Sequence, residues 1–262
     1  MTDLAKKLPV AEAGIKSIEV GCRLLDALAN IQHPINLGEL ALLSKMSPSK
    51  AHRYLVSFQR TKLVQHDAQT HRYALGELAL KLGYSAAAQA NTFRQLQRVQ
   101  VALRDKTTHT VLLSVWTDGG PVVMGVEDGL SPVVATMKPG ATLPLMSSAA
   151  GRVFAATMPW RVIEPIVQHE IIGTLNTRDP NALAAAAHDF LSLLGPLRER
   201  GLEHRHNSLL PHINAIAAPF VDRRDQLVGV LSIIGDADIL DVSYEGETAH
   251  SLRQASHQFR TG

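Results

Sequence analysis

MSPSKAHRYLVSFQR, residues 46–60, is the stretch on which the fold turns. Ser47 stands where a helix N-cap would, and Pro48 suits a first helical turn, where a missing N–H costs nothing. Ala51, Tyr54, Leu55 and Phe58 recur at i, i+3, i+4 and i+7, which draws one apolar stripe down a helix. The other face carries Ser49, Lys50, His52, Arg53, Ser57 and Arg60. Short hydroxyls near the start and long cations beyond suit base edges and phosphates when a helix lies in a major groove. The same face also fits an ordinary solvated surface helix, so the neighbouring sequence has to decide.

Upstream, Ser17 opens a helix with apolar positions at Ile18, Cys22, Leu25, Leu28 and Ala29, closing before His33-Pro34. On this spacing the single Cys22 is a buried structural thiol, and one cysteine supplies neither a disulfide framework nor a cysteine metal cluster. Asn36 with Glu39 three residues on has the form of a capping box, ahead of a short helix holding Leu37, Leu40 and Ala41. A turn at residues 44–46 then leads into the opening stretch, which makes a helix-turn-helix. Downstream, LVQHDAQTHRYAL places Val64 and Tyr73 on two extended segments around a polar turn at residues 67–71. That hairpin reads as a wing, with His71 and Arg72 either touching phosphates or the minor groove or simply solvated.

The whole chain has 262 residues, a 45 % hydrophobic share, 5 % aromatics and a net charge of +2, which indicates a globular aliphatic core in one large or two modest domains. Its apolar runs fall far short of the roughly 20 residues of a membrane span, and MTDLAKKLPV lacks a signal peptide's apolar core. A cytoplasmic protein with no membrane partner is expected. Residues 1–83 hold 11 Lys and Arg against 7 Asp and Glu, and the remainder hold 15 against 17. The basic excess is therefore N-terminal, where Lys45, Lys50, Arg53, Arg60, Lys62 and Arg72 gather, as a polyanion-binding part requires.

IKSIEVGCRLLDAL, INLGELALLSKMSPSKAHRYL and RYALGELALKLG together resemble the DNA-binding domain of the IclR family of bacterial transcription regulators. The resemblance implies a winged helix-turn-helix domain over 12–83, a linker helix over 84–106 and an effector-binding domain over 107–262. It implies DNA contacts from Ser47, Ser49, Lys50, His52, Arg53, Ser57, Arg60 and Arg72. One departure is the wing turn, which lacks the Gly that family members often carry.

Residues 85–106 are rich in Ala, Gln and Arg without Gly or Pro, so a helix is expected, with Phe93, Leu96, Val99 and Leu103 on one face. HTVLLSVW (109–116), PVVMGVED (121–128) and SPVVATMK (131–138) follow as a meander of three strands. A helix starting near Ser147 or Ser148 comes next, then helices over 160–169 and 181–200, a strand over 203–208, a strand pair over 213–236 and a last helix over 244–259. Strands in an early and a late block with helices between them indicate an α+β fold with a largely antiparallel sheet. Leu143-Pro144-Leu145, Ala149-Ala150-Gly151-Arg152, Ile216-Ala217-Ala218-Pro219 and Val230-Leu231-Ser232-Ile233 resemble the family's GAF- or PAS-like effector domain. There Met146 stands in place of a common His, and Arg152 in place of Lys. The family's pocket maps onto Ala135, Leu143, Ala149, Ala150, Ile213, Ala215, Ser232 and Ile234, with Arg205 at the position of a polar ligand contact. For the aliphatic members, ordinary core is the default reading.

Catalytic motifs are missing: the sequence has no G-x-S-x-G, Walker loop, G-x-G-x-x-G or H-E-x-x-H. His204, His206 and His212 are the one suggestive metal set, since His-x-His on a strand puts both rings on one face. No cofactor is called for. Sequence thus predicts a regulator, not an enzyme, that binds a double-stranded DNA operator as a homodimer or tetramer and responds to a small-molecule effector. The effector expected is an organic acid, held by Arg205, His204 or Ser232. An enzyme acting through the C-terminal half and a ligand-free nucleic-acid module are the alternatives.

Overall fold

The computed structural model describes residues 14–31, 33–89, 91–131, 137–207 and 209–261. The chain divides into two compact units, Met1–Leu82 and Gly83–Gly262.

The first unit holds α1 (Lys16–Ala29), α2 (Leu37–Leu43), α3 (Pro48–Arg60), β1 (Val64–Asp67), β2 (Arg72–Leu75) and the start of α4 (Glu77–Gln89). Leu24 and Leu28 of α1, Leu40 and Ala41 of α2, and Ala51 and Leu55 of α3 close on Ile35, Val64 and Tyr73 to form its core. Each Leu, Ile or Val among them contributes about 1.5–3 kcal/mol by leaving water. The Asn36 cap is present, its side chain accepting from the Glu39 N–H at 2.9 Å. Ser47 occupies the N-cap position of α3 but makes no side-chain cap bond; its Oγ lies 3.4 Å from Ser49 Oγ instead, leaving both hydroxyls on the exposed face.

Two expectations change here. Cys22 is exposed, not buried. α1 carries two apolar stripes, and the one packed inward runs through Val20, Gly21, Leu24 and Leu28, which turns Ile18 and Cys22 outward. The wing turn closes without Gly because His71 itself adopts a left-handed conformation, φ 54°. Asp67 supports it, its carboxylate accepting from the N–H groups of Gln69 (2.8 Å) and Thr70 (3.3 Å). Those bonds hold the Asp67 carboxyl below its ordinary pKa, so the support is present at neutral pH and is lost as pH falls through the lowered value.

The second unit continues with α5 (Asn91–Thr107), β3 (Thr110–Thr117), β4 (Gly120–Glu127), α6 (Ala149–Thr157), α7 (Trp160–Leu175), α8 (Pro180–Arg200), β5 (Glu203–His206), β6 (Ile213–Val221), β7 (Leu227–Asp236) and α9 (Glu247–Thr261). The five strands form an antiparallel sheet in the order β4-β3-β7-β6-β5. Alternation sorts its side chains: Leu112, Ala217, Val230 and Ile234 face the layer of α6, α7 and α8, whereas Val111, Leu113, Ile216, Leu231 and Ile233 face α5 and α9. Both faces are covered, which is why β6 and β7 read as near-continuous apolar runs. The third meander strand expected over 131–138 falls mostly on residues outside those described. β5 ends at His206, two residues short of expectation, because Asn207 turns left-handed at φ 48°. α9 starts three residues late, after a turn in which Asp241 accepts from the Ser243 N–H at 2.8 Å.

α6 begins on Ser148, whose Oγ accepts from the Gly151 N–H at 2.8 Å. Any Cβ at Gly151 would strike Pro144 O and come within 2.7 Å of Leu145 Cα, so glycine is what lets α6 seat against the Leu-Pro-Leu segment.

Candidate nucleic-acid interface and effector cavity

Ser47, Ser49, Lys50, His52, Arg53, Ser57, Arg60 and Arg72 are all exposed. Seven of them lie at or along α3, and their orientation is fixed from behind. Gly21 brings α1 so close to α3 that a Cβ there would stand 2.9 Å from the Phe58 ring and 3.1 Å from that of Tyr54. Among the described residues, Lys50, Arg53 and Arg60 have no ion-pair partner, so their charges stay available to an outside polyanion. Arg72 is different: its Nη1 donates to Pro34 O at 2.7 Å, which ties the wing to the loop before α2. Its role is at least partly to brace the wing.

In the second unit, Leu143, Ala149, Ala150, Ile213, Ala215, Ser232 and Ile234 come together around one apolar cavity of about 40 Å³ between the sheet and α6. Leu112, Met137, Ser148, Leu209 and Leu210 complete its wall. Ala135 lies outside the described residues. Ser148 is committed, donating to Pro144 O and accepting from Gly151 N–H. Ser232 Oγ is buried with no hydrogen-bond partner, which is a costly state for a hydroxyl unless something else can meet it.

Arg205 shares the cavity's side of the sheet, since it pairs with Ala215, but its side chain lines a separate groove along β5. His204 points to the opposite side, where Nδ1 lies 2.6 Å from Val242 O and its ring stacks on Tyr244 at 4.1 Å. The carbonyl requires the hydrogen on Nδ1, so His204 is pinned away from the cavity and is not one of its donors. The His204 and His206 rings are 5.0 Å apart. Among the described residues, no group of three or more His, Cys, Asp or Glu side chains is arranged to hold a metal, so His204, His206 and His212 do not form the set that their spacing suggested.

Two residues that matter to this site escaped sequence reasoning. The Glu170 carboxylate accepts from the N–H groups of Leu145 (2.6 Å) and Met146 (2.9 Å), clamping the segment that walls the cavity. Glu203, 5 % exposed, is the partner of Arg152, which also donates to Met146 O at 2.8 Å. Neither carried a signal, because both bonds join residues far apart in sequence.

An exposed basic helix on a winged fold, followed by a sheet domain with an internal cavity, defines a DNA-binding regulator with a sensory domain. Comparison with known proteins carries this further. Residues 85–261 match the family described as bacterial transcriptional regulator IclR C-terminal, and residues 17–68 match the IclR helix-turn-helix domain. The chain belongs to the IclR family, and is a transcription regulator rather than an enzyme. It is 26 % identical over 255 residues to the glycerol operon regulatory protein of Streptomyces coelicolor, covering 91 % of each chain. The crystal structure of HmgR from Pseudomonas aeruginosa is 32 % identical, with a TM-score of 0.57 over 94 % of this chain and 97 % of that one. An IclR homolog from Microbacterium hydrocarbonoxydans, solved in complex with 4-hydroxybenzoate, shares the fold at 14 % identity and a TM-score of 0.69, over 93 % and 97 %. Among the described residues, no helix is long and apolar enough to cross a membrane.

Proposed function

We propose that this regulator reads its operator through the outer face of α3, as a cytoplasmic homodimer presenting two such helices to a pseudo-palindrome. A single helix makes too few base contacts for high specificity, and two restore it. The second stripe of α1, with Ile15, Ile18 and Cys22 exposed, offers an apolar surface for that pairing. The effector is a compact organic acid that signals to a catabolic operon, and it enters the cavity between α6 and the sheet. The observation that carries this is the buried, unpartnered Ser232 hydroxyl in an otherwise apolar wall. It supplies one hydrogen bond to a ligand oxygen while the surrounding aliphatic groups take the ligand's body. Support for an acid also comes from the related structure crystallised with 4-hydroxybenzoate.

The cavity's size gives the mechanism its direction. About 40 Å³ has room for a water or two, so an acid of several carbons fits only if the walls part. Binding is therefore tied to movement of the cavity wall, and a ligand with different affinity for the two arrangements shifts their populations. A thermal-shift screen with small organic acids, followed by operator binding with any hit, tests this reading. A true effector at a hundred times its Kd stabilises by about 2.7 kcal/mol and changes operator affinity without being consumed. If no acid shifts the midpoint, or a hit is turned over, the effector reading fails.

A further inference from the structure

The groove along β5 holds a concentration of charge that the cavity does not use. It measures about 510 Å³ and is lined by Arg152, Arg200, Glu203, Arg205, His206 and Tyr244. Glu203 and Arg205 alternate along β5 opposite Ala217 and Ala215, so both side chains leave the same face of the sheet. Glu203 is shared by two cations, with Arg152 Nη1 at 3.2 Å and Arg200 Nη2 at 3.6 Å. Arg200 is further steadied over the Tyr244 ring, 4.6 Å from its centroid.

Arg205 is left out of this arrangement. Among the described residues it has no ion-pair partner, and its Nε is buried without a hydrogen bond. Burial and then the charge of Arg152 both push its pKa down, with Glu203 and Tyr244 offsetting only in part. A half-buried guanidinium whose Nε is buried without an acceptor is in an unfavourable state, and one that a bound anion relieves. Three arginines against one carboxylate leave the groove two positive charges in excess.

We propose that this groove is a second ligand site, separate from the apolar cavity, that takes a small dianion such as a dicarboxylate or a phosphate. Arg205 makes the central contact, because its planar fork offers two parallel donors to one oxyanion group. Arg200 flanks the second charge. Arg152 stays with Glu203 and keeps the groove's floor in place. The domain would then register two chemically different ligands, one apolar-bodied and one charged.

The test is isothermal calorimetry on the full-length protein with sodium phosphate and with sodium succinate, at ionic strength held constant with sodium chloride. Saturable binding of either anion is expected, and which one binds identifies a tetrahedral or a dicarboxylate ligand. Arg205→Gln should weaken it by about tenfold or more, the loss of a charge-assisted hydrogen-bonded pair. The same variant should keep or raise the thermal midpoint, because it removes an unpaired charge. Ala150→Leu, which fills the cavity and leaves the groove alone, should lose the cavity effector yet bind the dianion as before. Failure of both anions to bind beyond the chloride control, undiminished binding by Arg205→Gln, or equal loss in Ala150→Leu would each overturn the second site.

Discussion

The two units put their working residues in opposite places. In the first, the residues proposed to read DNA are polar, exposed and carried on one helix, and the core behind them only aims that helix. In the second, the residues around the cavity are mostly aliphatic and largely withdrawn from water, and they come from β3, α6, β6, β7 and the segments before α6 and β6. A surface site can be altered without disturbing the fold, whereas a cavity wall is itself part of the core. The difference teaches that tolerance to substitution, and not only position, separates the two functions.

Glycine replacements should bring out this contrast most strongly. Gly151→Ala pushes a methyl group into backbone atoms of Pro144 and Leu145, which cannot step aside, so a loss of about 3 kcal/mol is expected in the second unit's unfolding free energy. Gly21→Ala in the first unit meets only the tip of the Phe58 ring and the edge of the Tyr54 ring. Those rings can yield, and alanine favours helix by about 1 kcal/mol, so its net effect should stay within about 1 kcal/mol. Denaturant titrations of both variants check the pair, and equal losses would erase the distinction between a rigid wall and an adjustable one.

A smaller effect is expected at Ser232. Removing an unpartnered buried hydroxyl by Ser232→Ala should leave the ligand-free protein unchanged or up to about 1 kcal/mol more stable. The same change should weaken the effector by roughly the worth of one hydrogen bond, about 1 kcal/mol, in calorimetry. A substantial loss of stability would mean that Ser232 is structural. The smallest effect belongs to the wing. His71→Gly relieves a left-handed φ of 54° and should stabilise the first unit by about 0.5 kcal/mol, after glycine's own entropic cost. A destabilised variant would show that the imidazole, whose ring lies 6.0 Å from that of His66, contributes more by packing than it costs in strain.

Legibility in the sequence followed the same division. The α3 face could be read directly, because helical period and polarity separate its two sides without knowledge of any partner. α1 misled at Cys22 because two apolar stripes on one helix leave the inward one undetermined until Gly21 is seen against Phe58. The cavity wall was reached through family resemblance, since Ala149, Ala150 and Ile213 look like any core residue. Family resemblance put Arg205 among the effector contacts, whereas its side chain lines the groove along β5 together with Arg152 and not the cavity. Glu170 was invisible because its two acceptor bonds reach residues 24 and 25 positions away, a pairing that no local pattern encodes.

The central claim, that α3 reads DNA, is tested most directly by selecting binding sites from a random double-stranded library. The selected site is then titrated with the wild type and with Arg53→Ala by fluorescence anisotropy. The account predicts a pseudo-palindromic site, an Arg53→Ala loss of about 1–3 kcal/mol per half-site, and an unchanged thermal midpoint, since Arg53 is exposed and opposite the buried stripe. Equal affinity of the two proteins for that site would contradict it.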